Sequence, residues 1–442
     1  MMLILCEDYH KPFDADYYDK FPQDVCLGIV CPTSYSLMFS EFLKRLNTKI
    51  PAPKSSDYIH NYIGFNSIYN CRLDIPDINA DRWVSIGDNP QNAEELARNI
   101  CMEAKKLSEQ YPGIVVNIFI PTIWSNYRNF KHNVEFFDLH NYIKAFAAQN
   151  RFTTQLIEEK TVCNTMMCEI SWWLSLALFV KTLRTPWTLA DLNPNTAYAG
   201  IGYSVKKQAK GRTEIVLGCS HIYNAQGQGL KYKLSKVEHP QFDKKRNPFL
   251  SFEEAFKFGM DILNLFQSAM EKLPQRVVIH KRTPFREEEI EGITSALKRA
   301  GITEVDLITI TQERNIKFIA QVVSFGQLNT DGYPVNRGTC IKLSSRNALL
   351  WTHGVVQSIR DKRRYYQGGR CIPSPLKITK YYGNGDLQTI AKEIIGFTKM
   401  NCNSFNFYTK LPATIDTSNT LAQVGNLLRN YNGTTYDYRY FI

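Results

Sequence analysis

His140 and Lys144 stand four residues apart in the stretch VEFFDLHNYIKAFAAQ, Val134 to Gln149. Helical spacing puts them on one face, where they can reach a single anion together. Gln155 follows in TTQLIEE, and Lys181 closes the next apolar stretch, in LFVKTLRTPW. Two cationic or cationisable groups and an amide donor suit a terminal phosphate. Each also has a plainer reading. A helical lysine is commonly a solvated surface charge, and a histidine beside an apolar stripe is commonly structural. Further basic residues cluster along the chain. Lys206, Lys207, Lys210 and Arg212 form one group, and Lys244, Lys245 and Arg246 another. The densest is Arg360, Lys362, Arg363 and Arg364 with Tyr365 and Tyr366, then Gly368, Gly369 and Arg370. Basic side chains interleaved with aromatics suit backbone contact plus base stacking. A solvated loop is the other reading of each.

The elements that must position these groups follow from periodicity. VCLGIVCP, Val25 to Pro32, reads as a buried strand, followed by a helical stretch SLMFSEFLKRL. Residues Asn92 to Gln110 carry helical spacing, with Asn92 as cap and Tyr111-Pro112-Gly113 as stop. GIVVNIFIP, Gly113 to Pro121, is a strand rich in β-branched residues. A helix is expected over Val134 to Gln149, burying Phe136, Leu139, Ile143 and Phe146. The turn-rich Thr185 to Thr196 marks a domain junction. Beyond it, TAYAGIGYSVKK and EIVLGCSHIYN pair as a hairpin, and Ser251 with Glu254 opens a helix running to Leu273 through a capping box. A strand QRVVIHKR, a helix REEEIEGITSALKRAG and a strand VDLITIT complete the pattern. The fold class is α/β: a doubly wound layer, then a mixed sheet flanked by helices.

At 442 residues, with 44% hydrophobic and 12% aromatic residues, the chain can bury the cores of two to three domains and is not of disordered composition. Its net charge of +11 favours a polyanionic partner, nucleic acid or an anionic membrane surface, over a merely basic soluble protein by no clear margin. The opening MMLILCEDYH turns acidic at Glu7 and Asp8 and has no small-residue cleavage site, so no signal peptide is expected. The most apolar helix candidate, Ser171 to Leu183, is too short to span a bilayer. The 11 cysteines are irregularly spaced with no CxxC pair, which suggests reduced thiols in a cytoplasmic protein and no zinc site.

The order His-x-x-x-Lys, then Gln, then Lys ahead of Pro186-Trp187, resembles the guide 5′-phosphate pocket of the Argonaute MID domain. The passage into YAGIGYSV resembles the MID-to-PIWI transition. Gly338 to Gly354, with Lys342 and Arg346, resembles the PIWI segment that lines the guide channel, and Leu411 to Asn430 resembles the penultimate PIWI helix. The resemblance implies a Rossmann-like MID domain over 1–185 and an RNase H-like PIWI domain over 186–442, the organisation of a short prokaryotic Argonaute. It assigns the guide phosphate to His140, Lys144, Gln155 and Lys181, and the nucleic-acid channel to Lys206, Lys207, Lys210, Lys342, Arg346, Arg360, Arg363, Arg364 and Arg370. The apolar tail Tyr440-Phe441-Ile442 would tuck beside the guide phosphate. A carboxylate buried there needs a partner, and a Mg²⁺ ion shared with the phosphate would serve Ile442.

Cleaving PIWI domains gather carboxylates around two metals. The resemblance puts those positions at Gly202, Arg282 and Asn419, so slicing is expected to be lost and the chain not to be an enzyme. The alternative is an active guide-directed nuclease using other carboxylates, such as Asp416 or Glu287 to Glu289. Short Argonautes of this kind imply a guide RNA, a single-stranded DNA target, and a partner with an APAZ region and an effector. A TIR domain comes first, with SIR2 or a nuclease as alternatives. Target binding would drive higher-order assembly and NAD degradation in prokaryotic defence, without membrane insertion. An unrelated basic α/β protein is the third reading.

Overall fold

The computed structural model describes residues 24–53, 59–132, 135–184, 186–187, 189, 193–207, 213–222, 231–237, 241–319, 321–330, 335–355, 373–400, 411–425, 427–428 and 434–441. Two sheets organise it. In the first, β1 (Val25–Pro32) is apolar along nearly its whole length and is buried, as a strand covered on both faces must be. It pairs in parallel with β2 (Leu73–Asp74), β3 (Trp83–Ile86) and β4 (Val115–Ile120), and β4 pairs in parallel with β7 (Thr153–Glu158). Helices α1 (Ser36–Lys44), α2 (Ala93–Gln110), α3 (Leu139–Gln149) and α4 (Met167–Lys181) accompany this sheet. Asn92 caps α2 by accepting from the Glu95 amide.

The expected helix over Val134 to Gln149 is shorter than its periodicity suggested. Glu135–Asp138 forms strand β6, paired antiparallel with β5 (Asn129–His132), and α3 begins at Leu139. Asp138 decides the boundary, because its carboxylate accepts from the Asn141 amide at 2.9 Å and caps the helix. The stripe survives in part: Leu139 and Ile143 are buried and Phe146 is partly buried. Phe136 has no described side chain.

The second sheet is mixed. Its order is β17-β18-β19-β14-β13-β8-β9-β10-β20, with β13 (Arg276–Lys281) parallel to both β8 (Thr196–Lys207) and β14 (Glu304–Gln312). The flanking strands are β9 (Thr213–Ile222), β10 (Lys231–Val237), β17 (Cys340–Lys342), β18 (Asn347–Leu350), β19 (Leu376–Tyr382) and β20 (Thr435–Asp437), all antiparallel to their neighbours. The hairpin expected from TAYAGIGYSVKK and EIVLGCSHIYN is β8–β9. Helix α5 (Phe252–Met270) opens with the Ser251–Glu254 capping box. It crosses α6 (Glu287–Arg299) so closely that a Cβ on Gly292 would lie 2.4 Å from the Phe252 carbonyl oxygen. Helices α7 (Leu387–Phe397) and α8 (Ala413–Gly425) complete this half, and α8 lies across β8 and β9. Small hairpins β11–β12 (Gln241–Phe242, Pro248–Phe249) and β15–β16 (Gln321–Ser324, Gln327–Thr330) stand outside the sheet. Among the described residues no helix is long and apolar enough to cross a membrane.

Candidate phosphate pocket and nucleic-acid interface

A cavity of about 530 Å³ opens between α3, β7 and α4, and all four residues singled out above line it: His140, Lys144, Gln155 and Lys181. Lys144 comes from α3 and is 2% exposed; its Nζ donates to the Thr154 carbonyl at 2.6 Å. Lys181 ends α4 and is 3% exposed; its Nζ donates to Gln155 Oε1. The last turn of α4 is a favourable place for a cation, because the orphan carbonyls of a helix end carry partial negative charge. Gln155 lies on β7 and donates from Nε2 to the Leu156 carbonyl at 2.9 Å. His140 lies in the first turn of α3, on its exposed side, with Nδ1 3.5 Å from Asn141 Oδ1.

Burial lowers the pKa of both lysines. Lys144 falls to about 7 through desolvation. Lys181 falls well below the ordinary range, through desolvation and then the charge on Lys144. Desolvation, and then Lys144, also lowers His140. Two facing ammonium groups in a dry wall are costly without an anion between them. The rest of the lining is apolar and polar in turn, with Trp173, Met166, Ile170, Thr161 and Asn164, and one carboxylate among the described residues, Glu169. Spacing did not single out that second set. Trp173 in SWWLSLALF was the available signal, a half-buried indole within the run Ser171 to Lys181 that is otherwise buried.

The three other positions of interest converge at one end of the second sheet. Lys281 pairs with Ile201, so Arg282, the next residue, stands beside Gly202. A Cβ on Gly202 would lie 2.5 Å from the carbonyl carbon and oxygen of Ser418 and 2.7 Å from the Asn419 amide nitrogen. The backbone of α8 therefore occupies the space that any side chain at 202 would need. Arg282 is exposed, and Lys281 before it is wholly buried. Lys281 Nζ lies 2.5 Å from Glu289 Oε1, and the Tyr203 and Phe285 rings stand 5.5 and 5.2 Å from the same nitrogen. Glu289 also accepts from the Leu250 and Arg286 amides. Among the described residues no three His, Cys, Asp or Glu side chains gather in a way that could hold a metal ion.

No protein-family model matches the chain. Over 289 residues it is 22% identical to the protein argonaute of Aquifex aeolicus strain VF5, covering 65% of this chain and 36% of that protein. Among solved structures it resembles Clostridium butyricum Argonaute bound to a guide DNA and a 19-mer target DNA, with a TM-score of 0.64 at 17% identity over 95% of this chain. The A. aeolicus Argonaute crystal structure gives 0.63 at 18% identity over 100%, and Drosophila Piwi 0.60 at 15% over 95%. The chain has the MID–PIWI fold of the Argonautes. It spans about half the length of those structures, 50%, 52% and 51% respectively.

In this MID–PIWI frame the cavity belongs to the parallel sheet and the Gly202–Arg282–Asn419 cluster to the mixed one. Of the channel residues, Lys342 and Arg346 are exposed at the β17–β18 edge, and Arg346 lines a cleft with Arg276 and Lys380. Lys206 and Lys207 lie on β8, with no described side chains. Lys210, Arg360, Arg363, Arg364 and Arg370 lie outside the described residues, as does Ile442. The tail leading to Ile442 is tucked in. Phe441 is buried against Tyr436, and Tyr438–Tyr440 packs against α3, α4 and β7, the elements that carry the cavity. The described lining, with two ammonium groups and one carboxylate, does not by itself fit a Mg²⁺ ion.

Proposed function

We propose that the chain is a short Argonaute, with MID over 1–185 and PIWI over 186–442, that holds a 5′-phosphorylated guide RNA and pairs it with a single-stranded DNA target without cutting. One observation carries this reading: His140, Lys144, Gln155 and Lys181, drawn from α3, β7 and α4, line one cavity in which both lysines are buried on neutral oxygens. A phosphate dianion entering there neutralises both ammonium groups and accepts from them directly, in charge-assisted bonds of about 1.5–3 kcal/mol each. Gln155 Nε2 and His140 add neutral donors. The apolar wall at Trp173 and Ile170 gives the first nucleoside a surface to lie on.

The non-cutting half of the proposal is supported by Gly202, where the α8 backbone leaves no room for a metal-binding carboxylate, and by Arg282 beside it, which repels cations. Glu289, a candidate for an active nuclease, is committed to Lys281. On this reading the killing chemistry belongs to a partner with an APAZ region and a TIR or SIR2 effector, which target binding would activate by assembly. Titration of the purified protein with one short strand, 5′-phosphorylated or 5′-hydroxylated, tests the core of the reading. The phosphorylated strand is expected to bind at least ~10-fold more tightly. Equal affinity for the two ends would remove the pocket from the argument and the guide-holding role with it.

A further inference from the structure

The β15–β16 hairpin stands outside both large sheets and carries apolar side chains into solvent. Its turn is Phe325-Gly326, and both residues have positive φ, +51° and +72°. A two-residue hairpin turn of that hand suits Asn-Gly or Gly-Gly. A bulky aromatic residue enters the left-handed region only at a cost, and this one is also 105% exposed. Val323 and Leu328, 75% and 64% exposed, are cross-strand partners and share one face; Val322 is exposed on the other. The base of the hairpin is held. Phe318 packs edge-on against Trp351 at 5.8 Å, and Lys317 Nζ donates to the Ser374 hydroxyl at 2.6 Å. From Arg314 to Thr330 the chain has no Asp or Glu, and Arg314 and Lys317 are both exposed at the base.

Folding alone does not account for the strain and exposure at this tip, since asparagine at 325 would relieve both. Three features select the occupant. The tip is apolar on both faces and at its end, whereas a protein groove takes one face; a bilayer surrounds whatever enters it. A strand of four residues is about 13 Å long. That is too small to supply the roughly 800 Å² that a stable protein partner needs from each side, but long enough to reach the headgroup–acyl boundary of a bilayer, about 5–10 Å down. The cations lie at the base and not at the tip, which sets them at the level of anionic headgroups when the apolar end is buried. Contact with nucleic acid would want them beside the ring. We propose that β15–β16 is a membrane-docking finger: Phe325, Val323 and Leu328 enter the interface of an anionic bilayer, and Arg314 and Lys317 meet its headgroups. The contact is peripheral, since among the described residues no helix is long and apolar enough to cross a membrane. The chain's net charge of +11 adds long-range attraction to the same surface.

The test uses the full chain and sedimentation with vesicles of phosphatidylcholine, alone or mixed in equal parts with phosphatidylglycerol. The chain is expected to bind the mixed vesicles, and the neutral ones much more weakly. Phe325→Asn keeps the net charge and suits the turn, so the melting temperature should hold or rise while affinity for the mixed vesicles falls on the order of 10- to 100-fold. A structural role for the ring would lower the melting temperature instead. Arg314→Gln should weaken binding by about 5-fold, an effect that vanishes on neutral vesicles or in high salt. Phe325→Trp should keep binding, with its added fluorescence quenched by brominated acyl chains. Preference for a 5′-phosphorylated strand stays unchanged in all three variants. Mixed-vesicle binding that Phe325→Asn leaves intact would be the effect of net charge alone and would overturn the proposal. So would a Phe325→Asn variant that loses only affinity for single-stranded DNA, or only a self-association seen by light scattering, since either gives the tip to a different occupant.

Discussion

The ammonium groups of Lys144 and Lys281 are both buried, yet they are housed in opposite ways. Lys281 has a carboxylate at 2.5 Å, and that carboxylate accepts further bonds from two backbone amides. Arg276, in the same sheet, sits between Asp306 at 2.8 Å and Glu393 at 2.5 Å, and the Tyr198 hydroxyl completes the group at 2.9 Å. In the first sheet's cavity, Lys144 and Lys181 donate to a carbonyl and an amide oxygen. Paired buried charge is what a scaffold needs. Among the described residues the acceptors of Lys144 and Lys181 are neutral oxygens, and desolvation in the wall of one cavity costs the free protein stability that an arriving anion returns. The contrast separates structure from site without reference to which residues the two sheets share with relatives.

The sharpest way to break the contrast is to remove each ammonium in turn. Lys281→Met leaves Glu289 buried without its cation, and denaturant unfolding should show a loss of about 3–5 kcal/mol, with 5′-phosphate preference intact in the folded protein. Lys144→Met should do the reverse. The free protein should unfold at a higher denaturant concentration, while preference for a 5′-phosphate over a 5′-hydroxyl falls by about 10- to 100-fold. If both variants lose stability alike, Lys144 is scaffold.

The next test concerns Gly202. Gly202→Asp places a Cβ 2.5 Å from Ser418 backbone atoms, which α8 can relieve only by shifting. Overpacking of that kind costs roughly 1–3 kcal/mol, visible as a lower melting temperature, and the variant should still leave a complementary target uncut in Mg²⁺ or Mn²⁺. Guide-directed cleavage by this variant, or by the unaltered chain, would overturn the non-cutting proposal.

How far the sequence carried this picture varies by distance along the chain. Local signals read well. Asn92 capped its helix, Ser251 and Glu254 formed the capping box, and the expected β8–β9 hairpin is present. The misread start of α3 was also local. The apolar Phe136 and Phe137 extended the helical stripe, while Asp138, a good N-cap, marks where the helix starts. Gathering His140, Lys144, Gln155 and Lys181 followed from family resemblance, because each alone is an ordinary residue. The Lys281–Glu289 pair, the α8 backbone against Gly202 and the Asp243–Arg286 ion pair join segments that neither periodicity nor spacing links.

Titration gives a smaller and graded effect. The ordinary lysine pKa is 10.5, and burial brings Lys144 to about 7 in the ligand-free protein. A depressed lysine pKa penalises the folded protein fully below the folded value, and the penalty is relieved as pH rises from about 7 toward 10.5. Phosphate binding restores the proton, so affinity for the 5′-phosphate should fall above pH 7, by up to ~10-fold per pH unit for one proton taken up. Below about pH 6 the phosphate itself gains a proton and affinity should fall again. The 5′-hydroxyl strand should show neither limb. A flat profile for the phosphorylated strand between pH 7 and 9 would mean that Lys144 is already charged before the ligand arrives.

The smallest expected effect belongs to Glu169. It lies in the first turn of α4 and shares the cavity with the two lysines, the one carboxylate in the described lining. The helix N-terminus favours its charge locally, but in a cavity that receives a phosphate the same charge repels the ligand across a partly dry space. Glu169→Gln keeps the shape and removes the charge. The 5′-phosphorylated strand should therefore bind a few-fold more tightly, with the 5′-hydroxyl strand unchanged, and the gain should shrink as salt screens the pair. Weaker binding of both strands would instead place the carboxylate in contact with the first nucleoside, where it would accept from the base, and would divide the cavity into a phosphate end at Lys144 and Lys181 and a base end at Glu169 and Trp173.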